Sequence, residues 1–182
     1  EKKKIIIFSG KLNKSKGYHV FGKSIVKILE KNSDWKALVI GNEPREKHYF
    51  KHKNLKILNW LEHNKLLKFF EKSSISVVNP TWQEPFGRTA MESASRGCAV
   101  ITSVSGGLQE TFDNNLILKK NNSNYLIKKI QFLIDNSKKL LSYQKQNFNN
   151  VIHDIKEKSK ILDDSIPMFE KFESIDKNLR IL

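Results

Sequence analysis

Six short apolar segments, rich in Leu or β-branched residues, alternate with longer helical patterns over the first 135 residues of this chain. The segments are Lys4–Ser9, Ala37–Gly41, Leu55–Leu58, Ile75–Asn79, Ala99–Ser103 and Leu116–Leu118. They do not alternate strictly between apolar and polar residues, which is typical of strands that are buried on both faces of a parallel sheet. The alternation of strands and helices predicts an open, doubly wound α/β sheet of about six strands.

The connecting segments carry apolar residues at helical spacing, at Tyr18–Lys31, Glu62–Lys72 and Phe86–Arg96. After residue 136 the strand signal stops, and the remainder reads as helix with a break at Pro167. We therefore predict a Rossmann-like domain at residues 1–136. A helical tail at residues 137–182 should pack on this domain or on a further, missing one.

Composition excludes several classes of protein. Hydrophobic residues make up 38% of the 182 residues and aromatic residues 10%, which is too apolar for a disordered chain. The apolar runs are too short for a membrane-spanning helix, and the single cysteine, Cys98, lies in a buried strand pattern where it is most simply a small core residue. Since residue 1 is Glu and the first strand begins almost at once, we expect the chain to be part of a longer polypeptide.

The chain is strongly basic, with 33 Lys and Arg against 19 Asp and Glu and a net charge of +14. Such a field attracts nucleic acid, anionic lipid or phosphorylated small molecules. However, only four of the basic residues are Arg, and the many Lys, Asn and Ile residues would also follow from biased nucleotide composition. The chain lacks an aromatic-basic strand motif or a recognition helix, so we expect no nucleic-acid partner.

Ligands of open α/β sheets bind beyond the carboxyl ends of the strands. The segment after the first predicted strand is rich in lysine and bracketed by Gly10 and Gly17. Lysine ammonium groups bind phosphate as point charges, although the spacing matches neither GxxxxGK[ST] nor GxGxxG. On its own, this loop is better explained as a solvated turn of a lysine-rich protein.

The segment after the fourth predicted strand contains two carboxylates, Glu84 and Glu92, separated by seven residues. Pro85 and Gly87 put a helix start between them, so Glu84 lies in the loop and Glu92 inside the helix. The free amides at this helix start can bind an anion or sugar hydroxyls. The alternative is an i,i+4 pair of Arg88 with Glu92, worth only about 0.2–0.5 kcal/mol, which does not explain a carboxylate among small residues.

These segments resemble the group 1 glycosyltransferases (family four, GT-B fold). The resemblance is carried by Phe8–Gly17, by Asn79–Gly87 together with Glu92, and by Gly106–Glu110. It covers most of residues 4–135 and matches only the C-terminal, donor-binding domain of that family. It therefore implies that an N-terminal acceptor domain is missing from this chain.

The resemblance also implies roles for individual residues. Lys11 and Lys16 would bind the donor diphosphate, although the family usually has Arg where Lys11 stands, so that the bidentate contact is lost. Glu84 would contact the transferred sugar and Glu92 the ribose hydroxyls, with Glu84 and Lys16 as the catalytic residues. Further donor-binding positions are implied at the sugar, the phosphates and the nucleobase: Phe86 and Gly87, Arg88 and Thr89, and Trp60 and Leu61.

The implied activity is the transfer of a hexosyl-type sugar, with retention, from a nucleotide-diphosphate sugar to an acceptor hydroxyl, without a metal or other cofactor. The acceptor would be a carbohydrate or lipid-linked molecule in polysaccharide, lipopolysaccharide or glycolipid synthesis. We then expect a cytoplasmic protein with possible peripheral contact to the inner face of the membrane. Five His and one Cys show no metal-ligand spacing. The alternative is a non-catalytic nucleotide-binding subunit that needs a separate acceptor-binding chain.

Overall fold

The protein forms one six-stranded parallel sheet in a computed structural model, which describes residues 2–46, 49–108, 112 and 116–152. The strands are β1 (Lys3–Ser9), β2 (Lys36–Ile40), β3 (Leu55–Leu58), β4 (Ser73–Val78), β5 (Ala99–Ser103) and β6 (Ile117–Leu118). Their order in the sheet is β3-β2-β1-β4-β5-β6. The predicted Rossmann-like, doubly wound sheet is confirmed, with every strand end within two residues of its predicted position.

The helices follow the strands as the alternation predicts. They are α1 (Tyr18–Lys31), α2 (His63–Lys72), α3 (Arg88–Ala94), α4 (Ser123–Asp135) and α5, which covers the described residues 137–152. The prediction that α3 includes Phe86 is wrong. Gly87 has a φ of +68° and caps the helix, so Phe86 remains in the preceding loop.

Both faces of the sheet are buried except at the edge strand β3, as the uninterrupted apolar runs predict. Along β1, Ile6 and Phe8 lie on one face with α1 and α4, whereas Ile7 lies on the other face with α2 and α3. Since successive side chains of a strand point to opposite faces, an apolar residue is needed at every central position. Among the described residues, helices thus cover both faces of the central strands, and the carboxyl ends of these strands remain open to a ligand.

Helix α5 packs at the amino ends of the strands. Gln144 Nε2 donates a hydrogen bond to Ser74 O at 3.0 Å, and Val151 is buried in the core. Cys98, at the start of β5, is also buried, and burial raises its pKa to about 11. The predicted break at Pro167 and the rest of the tail, residues 153–182, lie outside the described residues.

Gly17, at the start of α1, lies against the end of β4. Its φ is +78°, and a Cβ at this position would lie 1.9 Å from the backbone oxygen of Asn79. A backbone atom cannot move away as a flexible side chain can. The close approach of β4 to the start of α1 therefore depends on glycine at this position.

We predict that Gly17→Ala destabilises the protein more than Gly97→Ala does. Gly97 has a similar φ of +76°, but its Cβ would meet only the Lys2 side chain at 3.4 Å. The left-handed conformation should cost each variant about 1–2 kcal/mol. Gly17→Ala should lose about 1–3 kcal/mol more through overlap, as measured by urea unfolding. Equal losses would show that the contact with Asn79 relaxes freely.

Candidate functional site

The sheet order reverses between β1 and β4, and the loops that follow these two strands lie side by side. Thr81 N donates to Ser15 O at 2.8 Å, and Thr81 Oγ1 donates to Lys14 O at 2.9 Å. A crevice at such a reversal point is where ligands of doubly wound sheets bind. The backbone contacts fix the two predicted site loops relative to each other.

The loop between Gly10 and Gly17 is ordered by its own polar groups. Asn13 Oδ1 accepts hydrogen bonds from Ser15 Oγ at 2.9 Å and from Lys16 N at 3.0 Å. Lys14 N donates to the Glu46 carboxylate at 2.7 Å. Because the amides of Lys14 and Lys16 are already paired, a phosphate contact from these two residues would come from their side chains.

Lys16 and Glu84, which the sequence places far apart, meet in the crevice. Lys16 Nζ lies 2.6 Å from Glu84 Oε2, and both side chains are shielded, with 32% and 17% of their surface exposed. The same Nζ lies 5.1 Å from the centre of the Trp82 ring. The structure therefore joins a cation, a carboxylate and an aromatic face at the centre of the crevice.

A first hollow of about 500 Å³ opens beside this pair. It is lined by Gly10 and Lys16 from one loop, by His63 at the start of α2, and by residues 84–89 and Glu92 from the other loop and α3. The amides of Arg88 and Thr89 precede the first intrahelical bond, which Ala90 N donates to Gly87 O. Predicted site residues Lys16, Glu84, Phe86, Gly87, Arg88, Thr89 and Glu92 thus share one cavity.

A second hollow of about 620 Å³ shares Ser9, Gly10, Lys16 and Thr89 with the first. Its other lining residues include Lys11 and Trp60, which were predicted to bind the donor, and Trp82, which belongs to the predicted motif but was given no role. Leu61, also predicted, lines neither hollow. Its side chain packs against the buried core on the α2 side of the sheet.

Arg88 and Glu92 form the i,i+4 pair that the sequence allows. Arg88 Nη2 lies 3.7 Å from Glu92 Oε1, which is longer than a hydrogen bond. The Arg88 side chain is 80% exposed, whereas that of Glu92 is 22% exposed and lines the first hollow. The pair is a weak surface contact and leaves the Glu92 carboxylate accessible from the cavity.

Sequence reasoning missed the polar residues that hold the second loop. Pro80 O accepts three hydrogen bonds, from Ser103 Oγ at 2.7 Å, Asn121 Nδ2 at 2.9 Å and Ser105 Oγ at 3.0 Å. Asn121 also bonds to Asn79. In the sequence, the only sign that a residue supports a loop in this way is a polar residue at the end of an apolar strand. This sign does not show which group the residue bonds to.

The Gly-Gly turn after β5 supports Glu84 directly. Gly107 N donates to Glu84 O at 3.1 Å, and Gly106 N donates to Gln83 Oε1 at 2.7 Å. A Cβ on Gly106 would lie 2.3 Å from Glu84 O, so the turn approaches Glu84 more closely than any other residue type allows. Gln109 and Glu110, which complete this predicted motif, lie outside the described residues.

The loop after β2 adds a carboxylate beside Lys11. Glu43 is bound by the Arg45 guanidinium, with Nε at 2.8 Å and Nη2 at 3.1 Å from its two oxygens. These contacts, together with the charge of Lys11, lower the pKa of Glu43 to about 2. Glu43 is therefore ionised in the folded protein down to strongly acidic pH.

We predict that Glu43→Gln lowers stability at pH 7 and that its difference from the wild type shrinks in acid. The pKa of Glu43 is about 2 in the folded state, against an ordinary 4.5. Its stabilising contribution is therefore complete above pH 4.5 and is lost as the pH falls towards 2. Urea unfolding between pH 7 and pH 3 measures this trend, with Glu30→Gln, on the exposed side of α1, as the control for charge loss. A difference that does not change with pH would contradict the assignment.

Two further findings concern only the described part of the chain. No group of three or more His, Cys, Asp or Glu side chains there could hold a metal ion. None of the helices in that part is long and apolar enough to cross a membrane.

The fold is that of a Rossmann-like domain with a crevice at the reversal point of its sheet. The family model described as "Glycosyl transferases group 1" matches residues 1–150. The chain therefore belongs to the group 1 glycosyl transferases, and the resemblance found in the sequence is confirmed.

The relatives show how the length and the fold of this chain compare with those of similar proteins. Spore coat protein SA of Bacillus subtilis (strain 168) is 27% identical over an alignment of 124 residues, and the match covers 61% of this chain and 33% of that protein. The C-terminal domain of a glycosyl transferase group 1 family protein (LpcC) from Francisella tularensis superposes with a TM-score of 0.74 at 24% identity, over 84% of this chain and 86% of that one. The chain spans about a third of the length of the curated relative and has the fold of a C-terminal GT-B domain.

A further structural neighbour was solved with a ligand. Anabaena HepE, in complex with UDP-glucose, superposes with a TM-score of 0.69 at 15% identity, over 89% of this chain and 49% of that one. At this identity the similarity concerns the fold alone.

Proposed function

We propose that this chain is the donor-binding part of a retaining hexosyltransferase and that its first hollow takes a nucleotide-diphosphate sugar. The observation that carries the proposal is the meeting of Lys16, Glu84 and Glu92 around one cavity at the reversal point of the sheet. Membership of the group 1 family supports sugar transfer, and the UDP-glucose complex of HepE supports the class of donor.

The proposed roles follow from charge and position. Lys16 would bind the diphosphate from inside the crevice and Lys11 from its rim, where it lines the second hollow. The amides of Arg88 and Thr89 would add two neutral donors at the start of α3. Glu92, one turn further into the helix, would accept hydrogen bonds from the ribose hydroxyls.

The ion pair between Lys16 and Glu84 would rearrange when the donor binds. A diphosphate carries more negative charge than one carboxylate and would attract the Lys16 ammonium. Glu84 would then be free to accept hydrogen bonds from the transferred sugar. A carboxylate at this position would also stabilise the positive charge that develops at the anomeric carbon.

Departure of the nucleoside diphosphate is the step in which negative charge accumulates. We propose that the two lysines and the helix-start amides stabilise this charge and that the reaction uses no metal or other cofactor. Groups that are already positioned for the charge need little reorganisation during the reaction. The bond between the anomeric carbon and the diphosphate oxygen would break, and a bond to the acceptor oxygen would form on the same face of the sugar. The proton of the acceptor hydroxyl would pass to the departing diphosphate.

The acceptor would be bound largely outside this chain. We propose that an N-terminal domain supplies its binding surface, and that the acceptor hydroxyl belongs to a carbohydrate or a lipid-linked carbohydrate. Synthesis of a cell-surface polysaccharide or glycolipid would put the protein in the cytoplasm. The net charge of +14 would favour contact with the anionic inner face of the membrane.

We predict that Lys16→Ala weakens UDP binding by about 1–3 kcal/mol, the range for hydrogen bonds to charged groups. Lys14→Ala is the matched control, because Lys14 belongs to the same loop but lines neither hollow. Its loss should be much smaller. Isothermal titration calorimetry of both variants measures the difference, and equal losses would mean that the loop acts only through diffuse charge.

A further inference from the structure

Trp82 has no role in the proposed reaction, yet its position is unusual for a tryptophan. It is 46% exposed and belongs to neither of the two buried cores. Packing therefore does not explain a large apolar side chain at this point of the loop. The ring instead lines the second hollow beside Lys16.

The indole and the Lys16 ammonium are in contact. Lys16 Nζ lies 5.1 Å from the centre of the Trp82 ring, within the range in which the ring face attracts a cation. On its other side Nζ bonds to Glu84 at 2.6 Å. One loop thus supplies both neighbours of the ammonium group, an aromatic face and a carboxylate.

Backbone hydrogen bonds hold the two residues of this contact in place. Thr81, directly before Trp82, bonds through its amide to Ser15, directly before Lys16, at 2.8 Å. Asn13 Oδ1 in turn accepts from the Lys16 amide at 3.0 Å. Both side chains therefore leave from backbone segments that are fixed against each other.

The two neighbours of Lys16 differ in what they would do when a phosphate arrives. A carboxylate is an anion and competes with phosphate for the ammonium group, whereas the ring face is neutral and leaves the charge of the ammonium available to phosphate. The contact with Trp82 can therefore persist after Glu84 has been released to the sugar. A lysine side chain that is already ordered loses less conformational freedom on binding.

We propose that Trp82 is a positioning residue, which holds the Lys16 ammonium in the crevice for the donor diphosphate. This inference rests on the proposed function, since it needs Lys16 to bind that diphosphate. It adds a residue that acts through Lys16 and whose role depends on the face of its ring.

The test compares UDP binding to Trp82→Leu, Trp82→Phe and Lys16→Ala, and to the double variant of Trp82→Leu with Lys16→Ala, by isothermal titration calorimetry. Trp82→Leu should bind UDP about three- to tenfold more weakly. Trp82→Phe, which keeps an aromatic face, should recover part of this loss. In the Lys16→Ala background, Trp82→Leu should cause no further loss. Phe132→Leu, at a similarly exposed aromatic residue on α4, is the control and should bind as the wild type does.

Two results would overturn the inference while leaving the proposed function intact. One is wild-type affinity in Trp82→Leu, and the other is an equal loss on both Lys16 backgrounds, which would mean that the indole contacts the nucleotide itself. If Trp82→Leu does not fold, Trp82→Met, which also lacks an aromatic ring, gives the same comparison on the two backgrounds. Unchanged UDP binding in Lys16→Ala would contradict the proposed function as well as the inference. The measurement on Lys16→Ala therefore distinguishes failure of the proposed function from failure of the inference alone.

Discussion

The arrangement of the site depends on the contact between the loops that follow β1 and β4. The hydrogen bond from Thr81 N to Ser15 O and the approach of Gly17 to Asn79 join loops that are more than 60 residues apart in sequence. Neighbouring parallel strands bring their carboxyl ends together, but only within several ångströms. The backbone contacts fix the two loops more closely than this, so that Lys16 Nζ lies 2.6 Å from Glu84 Oε2.

The same contact explains why the surrounding polar residues are buried. The loop after β4 turns away from the strand at Pro80. Without other donors, the Pro80 carbonyl would lose its hydrogen bonds to water on folding and gain none in return. Ser103, Ser105 and Asn121 each donate to that oxygen, which satisfies it and fixes the direction of the turn. The Glu84 side chain is therefore positioned by side chains that are not themselves part of the crevice.

The sequence predicted the fold well because burial on both sheet faces leaves a strong local signal. A strand such as β1, with Ile6, Ile7 and Phe8 in succession, cannot be half solvated. Boundaries at the site were harder to predict. The pattern extends α3 back to Phe86, but the left-handed conformation of Gly87 begins the helix at Arg88. A glycine in a sequence permits such a conformation and does not require it.

For the site, the sequence predicted positions but not partners. Residues in one motif share a loop, so Glu84, Gly87 and Arg88 lie together as expected. Trp82 belongs to the same motif, yet its role depends on the distance to a lysine from another loop. Leu61 was assigned to the site together with Trp60, because the resemblance places their turn beside the nucleobase. Adjacent residues point in different directions, however, and Leu61 faces the core. Such relations are set by tertiary contacts that one sequence does not reveal.

A crystal structure of this chain with UDP would test the central claim most directly, because the claim concerns which side chains meet the ligand. The account predicts a diphosphate oxygen about 2.7–2.9 Å from Lys16 Nζ, the usual distance for a charged hydrogen bond. It also predicts that the ribose hydroxyls lie on the Glu92 carboxylate and that Lys16 has separated from Glu84. UDP bound elsewhere on the surface, with the ion pair intact and the first hollow empty, would contradict it.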